Sequence, residues 1–144
     1  MFEKIIVATD GSDHAREAIS VACDLAKKYG SKLHIVHTPQ AVGDTLIVGY
    51  TAVPVPPTKE EMEKAGREVI GAAEAEVREA GVSDFTSELV SGDPAHAIVE
   101  EAKGHKADLI VMGRRGLGAV SRLLVGSTTT KVAQLADCAV LSVK

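Results

Sequence analysis

The sequence predicts an α/β domain built on an open parallel sheet with helices on both faces. Three observations carry the prediction. Short apolar runs rich in Ile and Val alternate with longer segments of helical period. Those runs are nearly continuous rather than alternating polar and apolar, as strands buried on both faces are. The strictly alternating order βαβαβαβαβ then favours a parallel sheet joined by right-handed crossovers.

Each element has its own signature. "KIIVATD" (4–10) reads as the first strand, broken by Gly11 and Ser12, with Ser12 placed to cap the helix that follows. Ala15, Ala18, Ile19, Ala22, Leu25 and Ala26 fall on one helical face, and Lys27, Lys28 and Gly30 close the helix. "KLHIVHT" (32–38) is the second strand. Residues 39–58 hold four of the five prolines and read as a long loop, of the kind compact domains keep for function or motion. A charged amphipathic helix runs from Lys59 to about Ala80, with Gly81 as its stop. "FTSELVS" (85–91) is the third strand. In "GDPAHAIVEEAKG", Asp93 is the expected cap, Pro94 the first helical residue and Gly104 the terminator. "DLIVMG" (108–113) is the fourth strand, residues 127–136 a short helix, and "CAVLSVK" (138–144) the fifth strand. With no repeat and no linker, residues 1–144 are expected to form one domain.

Composition narrows the function. A net charge of −4 argues against non-specific nucleic-acid binding, which works by neutralising phosphates. No apolar run reaches the roughly 20 residues of a bilayer span, and the apolar run at the N-terminus is too short for a signal peptide. A cytoplasmic location is therefore expected. Cys23 and Cys138 form no CxxC pair and read as buried thiols. Against this acidic background, the stretch from Leu109 to Ala136 carries Arg114, Arg115, Arg122 and Lys131 with no acid. The other twelve basic residues face twenty acids, so the +4 stretch sits in a chain that is otherwise −8.

That stretch contains "MGRRGLGAVSRLLVGSTTTK" (112–131), after the fourth strand and leading into a helix. Its glycines allow close backbone approach, and the following helix offers unpaired N–H groups joined by the hydroxyls of residues 127–130. Phosphate suits such a combination. It is neither a Walker A loop, lacking the Gly-Lys pair, nor a dinucleotide fingerprint, since Ser121 replaces the third glycine. Ligands of open α/β sheets sit beyond the carboxyl ends of the strands. That rule points to Thr9 and Asp10, His37 and Thr38, Ser91 and Gly92, and Met112 and Gly113.

Gly113, two residues, Gly116, nine residues, then Gly126 and Ser127 make the pattern G-x2-G-x9-G-[ST]. With "IIVATDGS", "DLIVMG" and "CAVLSVK", the chain resembles the ATP-binding universal stress proteins over essentially its whole length. The resemblance implies a five-stranded sheet of order 3-2-1-4-5, with ATP held between strands one and four. It implies that Ala8, Thr9 and Asp10 line the nucleoside end and that Thr38 meets the adenine edge through its backbone. Met112 would stand at the end of strand four. Gly113, Gly116, Gly126, Ser127 and Thr128 would hold the phosphates. Arg114 stands where a small polar residue is common in that family, and Arg115 follows it; the pair either holds the phosphates or narrows the entrance. Leu123, Leu124 and Val125 are expected to pack the crossing of the cradle.

A regulator or sensor is the function so implied, with a slow ATPase or phosphotransferase, a dimeric scaffold, and cyclic-nucleotide binding as alternatives. No catalytic residue is assigned, because Asp10 is the one acid near the site and would serve the nucleoside. The histidines do not predict a metal site: His34 and His37 face opposite sides of a strand, and His14, His96 and His105 lie near helix ends. A Mg²⁺ could accompany the phosphates. The apolar fifth strand at a sheet edge invites pairing, so a homodimer through residues 138–144 is expected.

Overall fold

The computed structural model describes residues 1–40, 44–116 and 125–144. In chain order the elements are β1 (Lys4–Ala8), α1 (Asp13–Tyr29), β2 (Lys32–His37), β3 (Asp44–Val48), β4 (Thr51–Val55), α2 (Lys59–Glu79), β5 (Phe85–Leu89), α3 (Pro94–His105), β6 (Leu109–Gly113), α4 (Ser127–Leu135) and β7 (Ala139–Val143). Five strands form one sheet in the order β5-β2-β1-β6-β7, all parallel. This is the predicted order 3-2-1-4-5, and β1 is central because its neighbours β2 and β6 lie on opposite sides of it.

The strand period of two sends side chains to two cores. Ile5, Val7, Leu33, Ile35, Leu109 and Val111 pack against α1 and α2. Ile6, Ala8, Val36, Ile110 and Met112 pack against α3 and α4. The small residues Ala18, Ala22 and Ala26 let α1 lie close on the sheet, and all are buried.

Most punctuation falls where the sequence puts it. Ser12 caps α1 by accepting from Ala15 N–H, and Gly30 ends it in the left-handed region at φ 68°. Thr58 and Glu61 form a capping box on α2. Asp93 caps α3, with Pro94 in its first turn. Gly104, the expected terminator, is instead inside α3. Lys106 takes the left-handed conformation (φ 54°), and its N–H reaches the carbonyls of Ala102 and Lys103.

The 39–58 segment differs from the expected loop. Residues 44–55 form the antiparallel hairpin β3–β4, with Val48 opposite Thr51. Gly49, at φ 64°, takes the first place of the two-residue turn, where a positive φ favours glycine. Pro54 is tolerated because the pair stands outside the main sheet and, among the described residues, pairs with nothing further. Ile47 and Tyr50 are exposed. Of the predicted packing residues at the cradle crossing, Leu123 and Leu124 lie outside the described residues. Val125 does not pack as expected; it is 49% exposed. Arg122 also lies outside the described residues.

Candidate functional site

The reversal of strand order at β1 opens a crevice between the carboxyl ends of β1 and β6, because the crossovers from these two strands go to opposite faces. A cavity of about 590 Å³ occupies it, within the range that small-molecule sites fill. All of Ala8, Thr9, Asp10, Thr38, Met112, Gly113, Arg115, Gly116, Gly126, Ser127 and Thr128 line this one cavity. The structure thus brings these eleven residues together from four separate segments, whereas Ser91 and Gly92, at the end of the third predicted strand, are not among the lining residues.

The β1 end supplies one wall. Asp10 Oδ1 accepts from Ser12 N–H at 2.9 Å, a short turn that fixes the carboxylate at the start of α1. Its other oxygen faces Gly116, so closely that a Cβ there would collide with it. Asp10 is the only acid among the described residues that line the cavity. Thr9 is buried, and its carbonyl lies 2.7 Å from His37 Nδ1, which ties the ends of β1 and β2 together. Thr38 is 7% exposed, and its hydroxyl has no hydrogen-bond partner among the described residues.

The glycine-rich segment supplies the opposite wall. A Cβ on Gly113 would stand 2.9 Å from the carbonyl carbon of His14, so the β6 end and the start of α1 touch only because this residue is glycine. Arg114 O accepts from Gly126 N–H at 2.8 Å, closing the two limbs of the loop. Thr129 Oγ1 donates to Gly113 O at 2.9 Å and anchors α4 beneath them. Gly126 is the N-cap of α4 and supplies no side-chain cap. Among the described residues no side chain caps the first N–H groups of α4, which lie beside the cavity at the positive end of the helix dipole. Arg115 lines the cavity and its guanidinium reaches His14 Nε2 at 3.2 Å. Arg114 is not among the lining residues. Lys131, counted in the cationic stretch, bonds Asp93 Oδ1 at 3.4 Å.

The third wall was not anticipated from sequence. Met62, Ala65, Gly66 and Val69 of α2, with Pro39 and Ile98, give the cavity an apolar side. Gly66 is the one local signal. A Cβ there would meet Leu89 and Pro39 at 2.9 Å, so a glycine inside a helical pattern marks close contact.

Cys23 and Cys138 are both free, Cys23 buried and Cys138 partly so, and burial pushes both thiols up from their ordinary range. His34 and His37 do face opposite sides of β2, but His34 and His105 are not separate solvated groups. Their rings stack with centroids 3.9 Å apart.

A doubly wound sheet with a walled cleft at its switch point defines an open α/β protein whose cleft lies where such folds take their ligands. The comparisons with known proteins give the family. The universal stress protein family matches residues 1–144. A universal stress protein of Thermus aquaticus is 41% identical over 144 residues, covering all of both chains. A universal stress protein solved in complex with cAMP is 30% identical with a TM-score of 0.74, covering 99% of this chain and 97% of that one. Another, from Archaeoglobus fulgidus, is 25% identical with a TM-score of 0.78 and full coverage of both chains. The chain belongs to the universal stress protein family.

Proposed function

We propose that the cleft binds an adenine nucleotide, with ATP as the principal ligand, and that the protein acts as a nucleotide-responsive regulator in stress response. The observation that carries this reading is the convergence of the β1 acid, the glycine pair and the open N-terminus of α4 on one cavity. The apolar α2 wall suits a purine base. Asp10 suits the hydroxyls of a ribose, and the α4 N-terminus with Ser127 and Thr128 suits phosphate. Arg115 adds a positive charge to the cavity wall, which favours its phosphate-holding role over that of Arg114. A Mg²⁺ would enter as a companion of the phosphates, which supply several of its ligands. The family relative solved with cAMP supports an adenine nucleotide as the ligand class.

A regulator fits the site better than an enzyme. Phosphoryl transfer needs a base or an oriented water beside the γ-phosphate, and Asp10 is held by Ser12 at the nucleoside end. The working unit is proposed as a homodimer through β7. This strand is an edge of the main sheet, and Leu141 on it is 37% exposed.

Calorimetry with ATP, ADP, AMP and cAMP, with and without Mg²⁺, tests the reading. One site per chain is expected, weakened by salt and by Gly126→Val, whose side chain would press on Arg114 O, already 3.3 Å from a Cβ at that position. Absence of binding across all four nucleotides overturns it. A mass that is unchanged by dilution and equal to one chain would overturn the dimer alone.

A further inference from the structure

The sheet face away from α1 carries a second constellation that the nucleotide cleft does not use. His34 on β2 stands beside Thr86 of β5, its register partner. Glu88 lies two residues further along β5 on the same face. Across from them, Glu101 and His105 occupy successive turns of α3. One ligand atom from each of His34, Glu88, Glu101 and His105 lies within 4.8 Å of the others. His34 Nε2 is 3.5 Å from Glu101 Oε2 and 4.0 Å from Glu88 Oε2, and His105 Nε2 is 3.5 Å from Glu101 Oε2.

His34 makes the cluster more than a surface group of charges. Its side chain is 8% exposed, and its Nε2 is buried with no hydrogen-bond partner among the described residues. Nδ1 lies 2.7 Å from Thr86 Oγ1. With Nδ1–H donating to that hydroxyl, Nε2 presents its lone pair to the carboxylates, the arrangement that orients a metal-binding histidine from behind.

We propose that His34, Glu88, Glu101 and His105 form a four-coordinate site for a divalent transition metal, Zn²⁺ foremost. Two imidazoles and two carboxylates suit zinc and would neutralise its charge. A tetrahedral zinc holds such donors about 2.0–2.2 Å away, which sets them roughly 3.3 Å from one another. The present separations close to that value by rotation of side chains. Glu88 and His105 are 56% and 41% exposed, so they have the freedom to turn and leave a path for the ion. His105 is also the last residue of α3, where the helix carbonyls favour a cation. Bound there, the ion would fasten α3 to β2 and β5. The same helix lines the nucleotide cavity through Pro94 and Ile98.

Zinc titration of the nucleotide-free full-length protein tests this, read by calorimetry and by the visible bands of Co²⁺ as a substitute. His34 belongs to the packed interior, so the variants are His105→Ala and Glu101→Gln, each checked for its fold by circular dichroism. Wild type is expected to take up one Zn²⁺ per chain. Each variant is expected to bind at least about 10-fold more weakly, and the His34 ring nitrogens should shift in the NMR spectrum on zinc addition. No stoichiometric uptake overturns the proposal. So does uptake that both variants leave unchanged, because the ion would then sit elsewhere, such as at Asp93 and His96.

Discussion

Replacing Gly116 with alanine tests how the two walls of the cleft depend on each other. A Cβ at this position runs into Asp10 Oδ2, and among the described residues its other neighbour within reach is Asp10 Cγ at 3.6 Å. The φ of Gly116 is not in the left-handed region, so alanine brings no backbone strain. Relief comes from turning the Asp10 carboxylate away, which breaks its bond from Ser12 N–H. A hydrogen bond to a charged group contributes about 1.5–3 kcal/mol, and the lower end applies to this half-buried pair. Alanine returns about 0.4–1 kcal/mol by restricting the unfolded chain. The net loss of stability is therefore about 1 kcal/mol, a fall in Tm of about 3 °C.

Nucleotide affinity should suffer more. Displacing the carboxylate proposed to meet the nucleoside costs about 1.5–2 kcal/mol, roughly a 10- to 30-fold rise in Kd. Calorimetry on a double-mutant cycle isolates the cause. In an Asp10→Ala background, Gly116→Ala should leave Kd nearly unchanged, giving a coupling of about 1.5 kcal/mol. An equal loss in both backgrounds would refute the reasoning. The glycine would then matter for its own amide and not for the room it leaves Asp10.

Two further outcomes can be stated. Gly113→Ala should lower Tm by about 3–10 °C in thermal denaturation, because the added Cβ meets the α1 backbone at 2.9–3.0 Å and overpacking of this kind costs about 1–3 kcal/mol; an unchanged Tm would show that β6 and α1 separate easily. Hydrogen bonds from the His96 side chain and backbone, with help from Lys131, lower the Asp93 carboxyl from 3.8 to about 2. A depressed acid stabilises the fold above its unfolded value and loses that contribution as pH falls through the folded one. The Asp93 carboxyl carbon should therefore titrate by NMR near pH 2, and a midpoint near the ordinary value of about 3.9 would contradict the capping network.

The parts of the molecule legible in sequence are those set by local chemistry. Ser12, Gly30 and Asp93 announce helix ends because the groups they satisfy lie within a few residues. The strand order and the position of the cleft follow from crossover rules and from the family resemblance. Gly104 misled because the end of α3 was settled by Lys106, whose backbone bonds offset its unusual φ. The β3–β4 hairpin was hidden by Pro54, which argues against a central strand but not against an isolated pair. The α2 wall and the His34–His105 stack escaped for a different reason. Each joins residues far apart in the chain, and only the docking of α2 and α3 on the sheet decides which of their side chains meet it.

The bond from Gly126 N–H to Arg114 O has a consequence for how this protein can change over time. It joins the end of β6 to the start of α4, and Arg114 N–H bonds Val143 O of β7 at 2.6 Å. Both bonds are made by backbone atoms alone. Descendants of this sequence can therefore exchange Arg114 for another residue, changing the charge at that position, while the bonds that hold the two walls of the cavity persist.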